Sequence, residues 1–280
     1  SWSEWKARAR LTGHVDDQDL DALRSGLIRV AQTDGPRELQ RLVEVLAAFK
    51  QGDSDEALRI AGPSAMRIHY RLWGKPGSKN KFGTIEDSFK RLSSNVTVVN
   101  DALEIAKWAE DESRVGAEIP ELPFPCGLEL HARYSSNDIK AEFGLADLES
   151  AGITGVGRFE LPDRKAYILL VTFQKTEHEF SPTTMYADYP ISRELLHWES
   201  QSTTTVASKV GQNLIRHVER NFTILIFARD VKKRDGITVP FTYLGPATLV
   251  SNECERPIKI VWKLKYPMPA QMFEENRRGA

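Results

Sequence analysis

The sequence has little cysteine, no long apolar run and almost no net charge. Its 280 residues include two cysteines, Cys126 and Cys254, too few for a disulfide framework or a cysteine-based zinc site, which indicates a reducing compartment and hence the cytoplasm. No stretch approaches the roughly 20 apolar residues that cross a bilayer, so we expect no membrane partner. Lysine plus arginine (38) nearly balance aspartate plus glutamate (39), so any affinity for nucleic acid must come from local patches.

The first 118 residues repeat apolar side chains at helical spacing. Helices are predicted to begin near Asp17, Pro36, Pro63, Thr84 and Asn100. We therefore expect residues 1–118 to form a helical adaptor. The tryptophans of this part are expected in its core: Trp2, Trp5, Trp73 and Trp108.

Prolines at 120, 123 and 125 mark residues 119–126 as a connector, because neither a helix nor an interior strand could continue there. Residues 127–280 then alternate apolar and polar side chains. Strands are predicted at 128–132, 157–161, 166–173, 223–229, 239–244, 247–251 and 258–265. The sequence thus predicts an α+β protein in which a helical unit precedes a mixed, strongly curved β-sheet or partly open barrel.

Residues 195–204 concentrate an indole, an imidazole, a carboxylate, an amide and several hydroxyls in one short segment. In a functional interpretation, Trp198 stacks on a nucleic-acid base together with Tyr186 or Tyr189, while Gln201 and Ser200 offer hydrogen bonds to its edge. In the alternative, Trp198 belongs to the core, and the two polar residues only tie a loop to a strand. The sequence leaves both interpretations open.

Basic residues in two places, along a helix-like segment after residue 204 and around a predicted turn, could clamp phosphates. Lys209 and Arg216 lie along that segment, and Lys232, Lys233 and Arg234 surround a predicted turn. A solvated hairpin tip would equally explain Lys232, Lys233 and Arg234.

An enzyme hypothesis rests on Asp188 and Glu199, which approximate the paired carboxylates of a Mg²⁺-dependent nuclease. Gln201 stands where such a site needs a lysine, although Lys209 could reach in from the next helix. We therefore expect no catalytic activity in this chain by itself, no metal and no cofactor. A Mg²⁺-dependent nuclease and a protein-interaction module are the alternatives.

Several blocks, in order, resemble a bacterial domain family of unknown function: residues 130–134, 180–184, 188–189, 197–202, 243–247 and 256–262. Arg133 lies in the first block and joins the candidate DNA contacts. In that family the domain forms the C-terminal region of DEAD/DEAH-box helicases of the type III restriction kind, and it also follows HNH-type nucleases. The resemblance implies a DNA-recognition module of a restriction or phage-defence protein, with DNA and the parent protein's helicase and nuclease domains as partners.

The resemblance runs from about residue 128 to residue 268 and includes no G-x-x-x-x-G-K-[ST] loop, so the chain lacks that route to nucleotide hydrolysis. By analogy, other defence proteins use curved β domains to read flipped or modified bases, which suggests a PUA/SRA-like pocket here.

Overall fold

The computed structural model describes residues 17–74, 82–150, 157–174 and 188–277. By its internal contacts the chain divides into two compact units, which we call the helical unit (Ser1–Ala117 with Ser136–Gly152) and the β unit (Glu118–Ser135 with Ile153–Ala280). The chain passes between the two units three times. The predicted limits at 1–118, 119–126 and 127–280 stay a prediction about separately folding domains.

The helical unit has helices at most of the predicted places. Its elements are α1 (Asp17–Ala31), α2 (Pro36–Lys50), α3 (Ser54–Ala61), a 3-10 turn (Gly62–Ser64), α4 (Ala65–Trp73), α5 (Ile85–Ser94), α6 (Val96–Glu112) and α7 (Ser136–Glu142). Thr84 and Asp87 form the expected capping box before α5. Helix α3 was not predicted, although Asp53 caps it by accepting a bond from the Glu56 N–H.

A buried ionic cluster holds α7 in the helical unit. Glu38 of α2 accepts bonds from Arg67 Nη2 and Arg71 Nη1 of α4, both at 2.6 Å. Arg67 also pairs with Glu142, and Arg71 Nη2 lies 3.3 Å from Asp138 Oδ1, so the two arginines join α2 to α7. Burial would raise the pKa of Glu38, but the two guanidinium groups outweigh it and hold that pKa well below its usual value.

The expectation for the tryptophans is only half right. Trp73 is buried, as predicted, whereas the side chain of Trp108 is 60% exposed. Helix α6 turns another face inward, with Ala102, Ala106 and Ala109 in the core, and Trp108 falls outside that stripe. Trp2 and Trp5 lie outside the described residues.

The β unit contains one main sheet with short helices beside it. Its elements are β1 (Arg133–Tyr134), β2 (Arg158–Leu161), a 3-10 turn (Pro162–Arg164), β3 (Ala166–Thr172), β4 (Tyr189–Pro190), β5 (Leu195–Glu199), α8 (Lys209–Ile215), β6 (Thr223–Arg229), β7 (Lys233–Arg234), β8 (Ile237–Thr238), β9 (Phe241–Glu253), β10 (Lys259–Leu264) and α9 (Ala270–Asn276). The main sheet has the order β2-β3-β6-β9-β10-β5-β4, and β1 pairs with β9. Strands β3 and β6 are parallel and the other neighbours antiparallel, so the predicted α+β class with a mixed sheet is confirmed.

Two strand predictions need correction. The segments 239–244 and 247–251 are parts of one strand, β9, because Gly245 adopts a φ of +82° at a register shift against β6 and lets the chain continue. No strand forms at 128–132, where His131 has a φ of +64° that breaks an extended conformation. Only Arg133 and Tyr134 pair with β9.

The main sheet is strongly bent but does not close. A methyl group placed on Gly157, just before edge strand β2, would lie 3.9 Å from Gln201 Nε2, just after β5. The start of β2, the first strand in this order, therefore lies close to the end of β5, the last strand but one. Among the described residues, however, β2 and β4 remain unpaired edges, so the partly open barrel is not supported.

One face of the sheet, which we call the inner face, carries the main apolar cluster of the β unit. Helices α8 and α9 contribute to it through Leu214, Met272 and Phe273. Strands β3 and β6 are buried almost throughout, whereas β10 alternates between buried and accessible positions. The described helices include none with the length and apolar character needed to cross a membrane.

Candidate nucleic-acid interface

Trp198 lies in the core of the β unit. Its side chain is 4% exposed, and its ring centroid lies 6.4 Å from that of Trp262 on the neighbouring strand. Strand β5 alternates strictly, with Leu196 and Trp198 turned inward. The indole therefore presents no accessible face for stacking on a base, and we leave Trp198 out of the proposed contact surface.

Ser200 ties the end of β5 to the start of β10. Its N–H donates to the Ile258 carbonyl and its Oγ accepts from the Ile258 N–H, both at 2.9 Å, and the side chain is buried. Gln201 follows in a turn closed by a bond from the Thr204 N–H to the Gln201 carbonyl. Its half-buried amide lies beside Gly157, so Gln201, unlike Ser200, stays near a surface that a ligand could reach.

Tyr189 and His197 form a stacked pair on the opposite side of the sheet from Trp198. They face each other across β4 and β5, with ring centroids 4.5 Å apart and ring planes 13° from parallel. Both are half-buried, and their strand neighbours Pro190 and Leu196 are buried. Tyr186, the other predicted stacking residue, lies outside the described residues.

The stacked pair belongs to a surface that we call the outer face. It consists of the side chains that β4, β5, β10 and the end of β9 turn away from the core: Tyr189, Leu195, His197, Glu199, Lys259, Val261, Lys263, Thr248, Ser251 and Glu253. The alternation of β10 produces this surface, because Ile260 and Trp262 pair with Trp198 and Leu196 on the inner side. Val261 and Ser251 continue the row that begins with the two rings.

Charge divides the outer face into two ends. Lys259 lies opposite Glu199 on one side and Glu253 on the other, so acidic groups flank it. Lys263 lies opposite Leu195 and Thr248, which are uncharged. The adjacent Lys265 is also exposed, with its Nζ 5.5 Å from the centre of the Tyr266 ring. The end at Lys263 and Lys265 is therefore the basic one.

Of the two residues of the nuclease hypothesis, Asp188 contacts the backbone of Glu199 rather than its carboxylate. Asp188 is buried, and its Oδ1 accepts the Glu199 N–H at 3.0 Å, so this oxygen is already engaged by the backbone of β5. Within the described residues, no group of three or more histidine, cysteine, aspartate or glutamate side chains could hold a metal ion. Lys209 is exposed on α8.

The remaining predicted phosphate contacts are dispersed. The hairpin β7–β8, which carries Lys233 and Arg234 and follows Lys232, forms a separate two-stranded sheet, and Arg234 pairs with Asp230. The side chain of Arg216 lies 3.9 Å from Glu219. Arg133 is exposed on β1. None of these residues belongs to the outer face.

Two buried polar side chains hold elements of the β unit together. His217 Nδ1 donates to the Phe222 carbonyl at 3.1 Å and Nε2 accepts the Leu249 N–H at 3.0 Å, at the bulge where β9 shifts register against β10. Burial lowers the pKa of His217, which keeps Nε2 available as an acceptor. Asn213 donates to the Tyr167 hydroxyl at 2.9 Å and accepts from Arg220 at 2.8 Å, which fastens α8 to β3.

Comparison with known families agrees with the resemblance seen in the sequence. A family model described as "Domain of unknown function (DUF3427)" matches residues 128–275. No curated protein matches the chain. The expectation of a domain of unknown function is confirmed, while its association with helicases and nucleases stays a prediction. Because the match covers more than half of the 280 residues, the chain belongs to the DUF3427 family.

Proposed function

We propose that the β unit is a DNA-recognition module and that the outer face is its contact surface. The observation that carries the proposal is the stacked pair of Tyr189 and His197 on an accessible sheet face that also carries Lys263, with Lys265 just beyond it in the chain. Aromatic rings provide stacking surfaces for bases, and lysines neutralise phosphates. A protein with a net charge of −1 needs such a local combination to bind DNA.

Gln201 gives this module a means of reading a flipped or modified base. It lies two residues beyond Glu199 of the outer face, at the place where the bent sheet brings Gly157 close. A carboxamide offers both a donor and an acceptor, which suits the edges of adenine and cytosine. A PUA/SRA-like pocket would be centred on this amide, with Ser200 holding the strand behind it.

The helical unit serves as an adaptor for a helicase or nuclease domain in a restriction or phage-defence protein. Trp108 supports this role, because its side chain is 60% exposed and tryptophan is enriched at protein contact sites. Cys126 and Cys254 are not joined in a disulfide, which fits the cytoplasm as the site of action.

DNA binding is tested by fluorescence anisotropy of the whole chain with labelled single-stranded and duplex DNA, each unmodified and with methylated cytosines. We expect saturable binding to at least one form that weakens with salt. Gln201→Ala should reduce any preference for modified over unmodified DNA, because the amide is the proposed reader. Absence of binding to every form at low salt would refute the proposal.

A Mg²⁺-dependent nuclease is the second candidate, because the Asp188 carboxylate accepts a hydrogen bond from the Glu199 N–H and the two acidic residues are therefore adjacent in the fold. Incubation with Mg²⁺ or Mn²⁺ and plasmid or single-stranded DNA distinguishes the two functions. A recognition module leaves the DNA intact, whereas cleavage that is lost in Glu199→Gln would establish the enzyme.

A further inference from the structure

We infer that the DNA held by the outer face is single-stranded. The inference rests on the proposed function, because it names the form of DNA that this same surface takes. It has three structural supports: the place of the ring pair, the lack of a groove-reading element among the described residues of the β unit, and the uneven charge of the face.

The ring pair lies in a sheet rather than at the tip of a projecting element. Tyr189 stacks against His197 within a row that continues through Val261 and Ser251 across four strands. Each ring covers one face of the other, so a base would stack on a face that the pair leaves uncovered, and it can do so only when it is not enclosed between its neighbours in a duplex. The row therefore suits a strand whose bases are already exposed.

The β unit offers no described helix of the size that reads a duplex. Helices α8 and α9 have seven residues each, and both pack against the inner core through Leu214, Met272 and Phe273. Recognition of the major groove depends on a helix or a two-stranded ribbon that projects into it. The ribbon β7–β8 has only two residues in each strand and forms its own sheet away from the ring pair.

Charge fixes where the phosphates lie. Glu199 and Glu253 flank Lys259 and disfavour phosphates at that end, whereas Lys263 lies opposite the uncharged Leu195 and Thr248. Alternate residues on one face of a strand are roughly 7 Å apart, so Lys263 lies about that distance from the row of the rings. A DNA strand with a base on the ring pair therefore has its phosphates directed toward Lys263.

The test compares oligothymidylate of about 12 nucleotides with a duplex of the same length, using the whole chain and four variants. His197→Thr removes the ring but keeps strand propensity, and His197→Phe restores a ring. Lys263→Gln removes the phosphate contact, and Lys107→Gln, an exposed lysine of α6, is its charge-matched control. Circular dichroism and thermal unfolding confirm that each variant is folded.

We expect the single strand to bind at least tenfold more tightly than the duplex. His197→Thr should weaken single-strand binding about tenfold without changing its salt dependence, and His197→Phe should restore it. Lys263→Gln should lower the slope of log affinity against log salt by about 0.7, while Lys107→Gln leaves it unchanged.

The outcomes separate this inference from the function on which it rests. Tighter binding to the duplex, or equal single-strand binding by wild type and folded His197→Thr, overturns the inference and leaves DNA recognition standing. Failure to bind either DNA overturns both. A loss in His197→Thr that His197→Phe does not restore also overturns it, because the imidazole would then act by a bond or charge rather than by stacking.

Discussion

Replacing Glu38 by glutamine should destabilise the helical unit strongly, although the change removes only one charge. Glu38 is 3% exposed and accepts 2.6 Å bonds from both Arg67 and Arg71. Removing one partner from a buried ion pair costs about 3 to 5 kcal/mol, because the remaining charges stay out of water without compensation. Here the cost should fall at the lower end, since Arg67 keeps Glu142 and Arg71 keeps Asp138.

Glu56→Gln is the matched control. Glu56 also pairs with an arginine at 2.6 Å on a helix of the same unit, but its side chain is 40% exposed and that of Arg59 is 72% exposed. Water and salt screen such a pair, so its loss should leave the unfolding midpoint unchanged. In urea, monitored by circular dichroism at helical wavelengths, Glu38→Gln should lower the midpoint by about 1 to 3 M with an unchanged slope.

The pH dependence provides an independent check of the same cluster. Because the folded-state pKa of Glu38 lies below its ordinary value of 4.5, the stability from this carboxylate is fully present above pH 4.5 and is lost as the pH falls further. The difference between wild type and Glu38→Gln should therefore shrink below pH 4.5. Equal midpoints for Glu38→Gln and Glu56→Gln at neutral pH would refute the reasoning.

Three further predictions concern other parts of the molecule. Burial lowers the pKa of His69 to about 4, so the free energy of unfolding of the helical unit should fall by up to about 3 kcal/mol between pH 6.5 and pH 4. Urea titrations at several pH values should show this dependence in the wild type and not in His69→Phe. Gly211→Ala should lower the thermal midpoint of the β unit, because the added methyl group would overlap the Thr205 carbonyl, whereas Gly116→Ala, which has open space around it, should not. A fragment of residues 118–280 should keep its sheet but be cleaved by protease within 136–152, because that segment loses its contacts with Arg67 and Arg71. The whole chain should resist cleavage in the same segment. Protection of 136–152 in the fragment would contradict this prediction.

Local patterns in the sequence were sufficient to predict most of the helices and strands. The stripes of α1, α2 and α6, the capping box of α5 and the alternation of β10 each arise from neighbours in the chain, and the structure has these elements near their predicted bounds. The alternation of β10 also predicted that Trp262 lies inside and Lys263 outside, as the structure shows.

Other features of the structure depend on contacts between distant residues. Trp198 lies in a segment as polar as a binding loop, and only its pairing with Ile260 and its proximity to Trp262 show that it faces the core. The inclusion of 136–152 in the helical unit depends on Arg67 and Arg71, more than 60 residues earlier, and no local pattern indicates it. The outer face likewise exists only because β4, β5 and β10 come together in one register.

Photocrosslinking tests most directly the claim that the outer face binds DNA. The whole chain would be mixed with single-stranded oligothymidylate carrying iodouracil, irradiated at a wavelength that this base absorbs, and digested for mass spectrometry of the linked peptide. We predict crosslinks to Tyr189 or His197, because the stacked rings are the proposed base contacts. Crosslinks found only on the β7–β8 hairpin or in the helical unit would contradict the account.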